Sequence, residues 1–317
     1  MYAPFADPKT DFVFKRIFGA EARKPLLIAL LNDLLEFEGD RCIVEVQQLT
    51  KKQHIDVPEL KLSILDVKCA DATGRSFVVK MQVLNVEGFE KHVVYDASKP
   101  YVMQLRDAEG YPPLGDVIGI TICTFNLWTE RDEHGRFKVP MLSRWRMQEQ
   151  PSGVQGLPQV QYAFLELPKY EAGDAPSTSI DKWAYFFCET KNVDVMPPSL
   201  SEGPFRDALD VARRASFSAG EWEVYQRAKM AEQDARGALT LAMREGWLKG
   251  WLKGMREALL ERKLEATRWA LLRVLERRGI VVTEEERDKI AACADAATLD
   301  RWFDRAFTAT VAAGVFA

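Results

Sequence analysis

With 317 residues, 47% of them hydrophobic and 28% charged, the chain has enough apolar mass for a buried core and for about two domains. Its 43 Lys and Arg are outnumbered by 47 Asp and Glu, a formal charge of -4, which excludes a global cationic field, so any nucleic-acid contact has to be local. Five widely spaced cysteines and three histidines give neither a disulfide framework nor zinc-type spacing. With no membrane-length apolar run and no charged-then-apolar leader, a cytoplasmic protein without a membrane partner is expected.

In chain order, Asp11 is placed to cap a short helix from Phe12 to Phe18 that Gly19 stops, and Pro25 opens a second helix with Leu27, Leu30, Leu31, Leu34 and Leu35 on one side. Three strand-like runs follow, Cys42 to Leu49, Ser63 to Ala70 and Phe77 to Leu84. The last two are joined by the Gly-containing stretch Asp71 to Arg75, which predicts an antiparallel meander. From Glu87 to about Leu105 the pattern is helical, with Val94, Tyr95, Val102 and Leu105 as the inward candidates and Pro100 as an expected kink or break. Asp116 to Phe125 and Val160 to Leu167 read as strands apolar on both faces, as in a mixed sheet covered on both sides.

The Pro-rich stretch from Pro197 to Pro204 predicts a boundary, giving an α/β domain over 1–200 and an all-α region over 201–317. Beyond it, Glu221 to about Leu275 predicts a long helix or helical hairpin. Inside lies Gly246-Trp247-Leu248-Lys249, repeated at once and followed by Gly254. Three glycines four apart each cost about 1 kcal/mol relative to Ala in a helix. Close approach of a partner helix along Gly246, Gly250 and Gly254 is the use expected to offset that cost, and it predicts a homo-oligomer. A capping-box-like start at Thr283 predicts a small helical end-piece around Ile290, Leu299, Trp302, Phe303 and Phe307.

The chemistry is expected in the hairpin. Asp66 sits inside an apolar strand, where a carboxylate needs a partner: a metal ion, a basic side chain such as Lys68, or solvent at a strand end. On the next strand Lys80 and Gln82 share one face by alternation. An Asp opposite a polar-x-polar pair is a geometry suited to holding a divalent cation and a scissile phosphate together.

The chain resembles the Rpn family of recombination-promoting nucleases and transposases, a branch of the PD-(D/E)XK superfamily. The resemblance is carried by Lys9-Thr10-Asp11-Phe12-Val13-Phe14-Lys15-Arg16-Ile17-Phe18-Gly19, by Leu65-Asp66-Val67-Lys68, by Lys80-Met81-Gln82 with Phe89-Glu90-Lys91, by Val117-Ile118-Gly119-Ile120, by Phe164-Leu165-Glu166-Leu167-Pro168-Lys169, and by Lys182-Trp183-Ala184-Tyr185-Phe186. It implies a restriction-endonuclease-like mixed sheet flanked by helices and a metal-dependent DNA endonuclease. Mg²⁺, or Mn²⁺ or Ca²⁺, would be held by Asp66 and a Glu, with Gln where most of the superfamily has Lys. Here Lys80 replaces that Glu, removing one anionic ligand and adding a repelling charge. Asp66, Lys80 and Gln82 are therefore the candidate catalytic residues. Asp66 and Asp11 are the candidate metal ligands, with Glu45 as another acid able to supply the missing oxygen. A member that binds DNA or protein without cutting is the alternative.

Overall fold

The computed structural model describes residues 4–48, 65–104 and 114–316. Of the sequence expectations, those on Leu49, Ser63 and Leu105 lie outside the described residues. The chain divides into two compact units, Met1–Arg236 and Gly237–Ala317. The division falls later than the Pro197 to Pro204 stretch, because the helix after those prolines buries Phe205, Ala208, Leu209 and Ala212 in the first unit's core.

The first unit begins with α1 (Asp11–Phe18) and α2 (Lys24–Leu35). Thr10, not Asp11, is the cap residue of α1, and Pro25 stands in the first turn of α2, where its missing N–H costs no hydrogen bond. The strands are β1 (Val46–Gln48), β2 (Leu65–Asp71) and β3 (Ser76–Gln82), then β4 (Val117–Cys123), β5 (Leu142–Trp145) and β6 (Val160–Glu166) after helix α3 (Phe89–Met103). Helices α4 (Ser179–Glu189) and α5 (Gly203–Ala212) complete it, with the start of α6 (Ala219–Arg277).

The six strands form one mixed sheet in the order β1-β2-β3-β4-β6-β5. β1, β2 and β3 run antiparallel, β4 is parallel to both β3 and β6, and β5 returns antiparallel on β6. The β2–β3 turn is tied by Asp71, whose Oδ1 accepts from the Thr73 and Arg75 amides at 2.9 and 3.0 Å, while Gly74 takes a φ of 86° that only glycine adopts freely.

Alternation along the strands sorts the two faces. Phe77, Val79, Met81, Ile120, Ile122 and Leu165 pack with Phe14 and Ile17 of α1, Leu27 and Leu30 of α2, and Trp183 of α4. The other face carries Lys80, Gln82, Thr121, Cys123 and Phe164, and α3 lies on it through Phe89 and Val93. Gly119 permits that approach: a Cβ there would stand 3.2 Å from the Ala97 Cβ of α3.

α3 passes through Pro100 without ending. The face it turns inward is Phe89, Val93 and Ala97, whereas the expected Val94, Tyr95 and Val102 are exposed. The true inward side holds few large hydrophobics because part of its contact with the sheet is ionic.

In the second unit the later part of α6 meets α7 (Glu284–Ala292), α8 (Ala296–Ala306) and α9 (Ala313–Phe316). Leu264, Leu271 and Leu275 of α6 bury against Ile290, Leu299, Trp302 and Val315. The Thr283 capping box is present, with its hydroxyl accepting from the Glu286 amide at 3.2 Å. Phe307, expected in this end-piece, is exposed. Among the described residues, no helix is long and apolar enough to cross a membrane.

Candidate functional site

Strand pairing sets the first relationship of the site. In the β2–β3 register Asp66 stands directly across from Lys80, and Gln82 lies two residues further along the same side of β3. Every residue of β3 is buried, so Lys80 and Gln82, each 4% exposed, are polar groups inside an apolar layer. Each needs a partner there.

Lys80 finds one on α3. Its Nζ donates to Asp96 Oδ2 at 2.9 Å and sits 5.9 Å from the centre of the Phe89 ring. Gln82 donates from Nε2 to the Leu84 carbonyl at 2.7 Å, which leaves its Oε1 buried without a hydrogen-bond partner. Sequence reading missed Asp96, although a signal was present. Asp96 lies seven residues after Phe89 and three after Val93, the helical spacing of the buried side of α3.

A second acid, this one buried, shares this face. Gln82, Cys123 and Glu166 stand side by side in register on β3, β4 and β6. Glu166 is fully buried, and both of its carboxylate oxygens are hydrogen-bonded. It accepts from Lys169 Nζ at 2.5 Å and from the Leu127 and Trp128 amides at 2.5 and 3.2 Å. Lys169 also donates to the Val139 carbonyl at 2.8 Å. Burial, followed by the nearby Glu166 charge, pushes the Cys123 thiol far up, so Cys123 is a neutral packing residue rather than a nucleophile.

Asp11 stands elsewhere. It is half exposed, 2.6 Å from Lys15 Nζ, on the helix that covers the opposite face of the sheet. Glu45 is exposed immediately before β1. Several arginines that could meet a phosphate are engaged within the chain: Arg16 with Glu221 and the Ser216 carbonyl, Arg213 with Asp210, and Arg278 with the Ala306 and Ala309 carbonyls. Lys51, Lys52 and His54 lie outside the described residues. Among the described residues, no three His, Cys, Asp or Glu side chains are grouped to hold a metal ion.

Compared with known protein families, residues 8–242 match the family model of the PD-(D/E)XK nuclease family transposase. No curated protein and no solved structure matches the chain.

Proposed function

Since this chain belongs to the PD-(D/E)XK nuclease family of transposases, we propose that it engages DNA through its nuclease-like domain, and that Lys80 holds the β2–β3 site in a form that does not cut by a metal-dependent route. Nucleases of this superfamily generally use divalent metal ions. The residues present do not fit one. The position across from Asp66 carries an ammonium, buried under Phe89 and bonded to Asp96. A cation brought there would meet a fixed positive charge where a hard ion needs anionic oxygen.

The Lys80–Asp96 hydrogen bond is the observation that carries this reading. It turns the place of a ligand into an internal ion pair and removes Asp96 from the acids free to bind an ion. Two arms test it, DNA binding by fluorescence anisotropy and cleavage of supercoiled plasmid in Mg²⁺ or Mn²⁺, with Asp66→Ala as the blank. Binding without Asp66-dependent cleavage is expected. Cleavage that Asp66→Ala removes would overturn it.

One observation favours a second reading, a weakened metal-dependent endonuclease. Gln82 Oε1 is a buried acceptor without a hydrogen-bond partner beside the Asp66–Lys80 pair in the register. Such an oxygen suits a cation or a protonated group of a substrate. The cleavage arm separates the two readings.

A further inference from the structure

α6 carries an apolar seam of its own, most of it ahead of the contacts with the end-piece helices that begin at Lys263 and Leu264. Leu241, Leu248, Leu252, Met255 and Leu259 are all exposed. With Glu245 and Arg262 in the gaps, the steps from Leu241 to Ala266 alternate between four residues and three, the repeat of a two-helix coiled coil. At about 100° per residue, Leu264, Leu271 and Leu275, which bury against the end-piece, fall on the opposite side of the helix. Gly246, Gly250 and Gly254 are turned away from the seam, and a Cβ added at any of them meets nothing within 4 Å.

We propose that a second copy of this chain pairs with α6 along this seam, antiparallel, about a centre between Lys253 and Gly254. The sequence is complementary to its own reverse about that point. Leu248 falls on Leu259 of the second copy, Leu252 on Met255, and Leu241 on Ala266. The polar interruptions match as well, since Glu245 falls on Arg262. Along one edge Arg244 meets Glu265, and Trp251 meets Ala258, large against small. Two-fold symmetry makes each of these contacts twice.

Arg244, Glu245, Arg262 and Glu265 are all exposed, and none of them takes part in an ion pair among the described residues. Their charges are free to be matched by another copy. A parallel pair in register would instead set Glu245 on Glu245 and Arg262 on Arg262, like charges at the seam, which disfavours it. The antiparallel pair has one opposing feature, Lys249 beside Arg256 along the other edge. Two attractive pairings against that one repulsive pairing favour the antiparallel form. The inference stands apart from the DNA reading, because the seam lies wholly in the second unit.

Sedimentation of the full chain tests it, with circular dichroism to show that each variant keeps its helix. Glu245→Arg and Arg262→Glu should each weaken self-association by about tenfold or more, and the double variant should restore it. Leu252→Asp should abolish the pair, and Gly250→Leu should leave it intact. A chain that stays monomeric at its highest soluble concentration, or a double variant no better than the single ones, would overturn the proposal. Loss of the pair in Gly250→Leu with Leu252→Asp unaffected would return the interface to the glycines.

Discussion

Lys80 of β3 and Asp96 of α3 are joined at 2.9 Å on the sheet face that α3 covers, where the lysine side chain is 5% and the aspartate side chain 20% exposed. That bond sets an ion pair on the sheet surface across from Asp66. It also ties α3 to the sheet beside Gly119, where no larger residue than glycine fits without displacement.

Asp96→Asn should destabilise the first unit by about 1–3 kcal/mol, because it leaves the Lys80 ammonium buried with a neutral acceptor. The partial exposure of Asp96 keeps the loss below that of a fully buried pair. The double variant Lys80→Met with Asp96→Leu should recover most of it, since apolar groups of similar volume remove both desolvation costs. Urea unfolding of the three variants beside the parent chain gives the comparison, and additive losses in the double variant would contradict coupling.

Glu166→Gln should cost more, about 3–5 kcal/mol, because the Lys169 side chain is 1% exposed and loses its anionic partner. Thermal unfolding should therefore rank this variant well below Asp96→Asn. Equal effects would mean that the two backbone amides and the Val139 carbonyl, rather than the ion pair, hold this end of β6.

Cys69 gives a pH prediction. Burial first, and then the charge of Asp71, pushes its thiol up from an ordinary 9.0 to about 12. A raised folded value means that the protonated thiol is favoured by folding. Its contribution to stability is therefore complete below about pH 9 and is lost as pH rises from there to about 12. Cys69→Ser should flatten the fall of melting temperature across that window, and an unchanged slope would show that other groups dominate. In the native chain Cys69 should also resist alkylation at pH 8, where a thiol of ordinary acidity reacts.

Much of the fold was legible because the elements that build it are locally consistent. The leucine spacing of α2, the alternation of β3 and the Asp71 to Arg75 turn each specify one outcome without help from distant residues. The register that sets Asp66 across from Lys80 follows from that turn. α3 was misread for the converse reason. Its inward side packs Phe89, Val93 and Ala97 and pairs Asp96 with Lys80, a residue on a different element, so the apolar-looking Val94 and Tyr95 face outward while Asp96 turns in. β5 was missed because its Leu142–Trp145 strand is short and its pairing on β6 is not written in a nearby turn. The Pro197 to Pro204 stretch looked like a boundary because prolines mark loops, yet whether a loop separates domains depends on where the following helix buries its side chains.

The central claim, that Lys80 stands in place of a metal ion, is tested most directly by calorimetric titration of Mn²⁺ into the parent chain, Lys80→Glu, and Lys80→Glu with Asp66→Ala. The substitution changes the site by two charge units and sets a carboxylate beside Asp96 and across from Asp66. The account predicts no Asp66-dependent uptake by the parent, uptake by Lys80→Glu, and loss of that uptake when Asp66 is also removed. Uptake by the parent chain as tight as by Lys80→Glu, and abolished by Asp66→Ala, would contradict it.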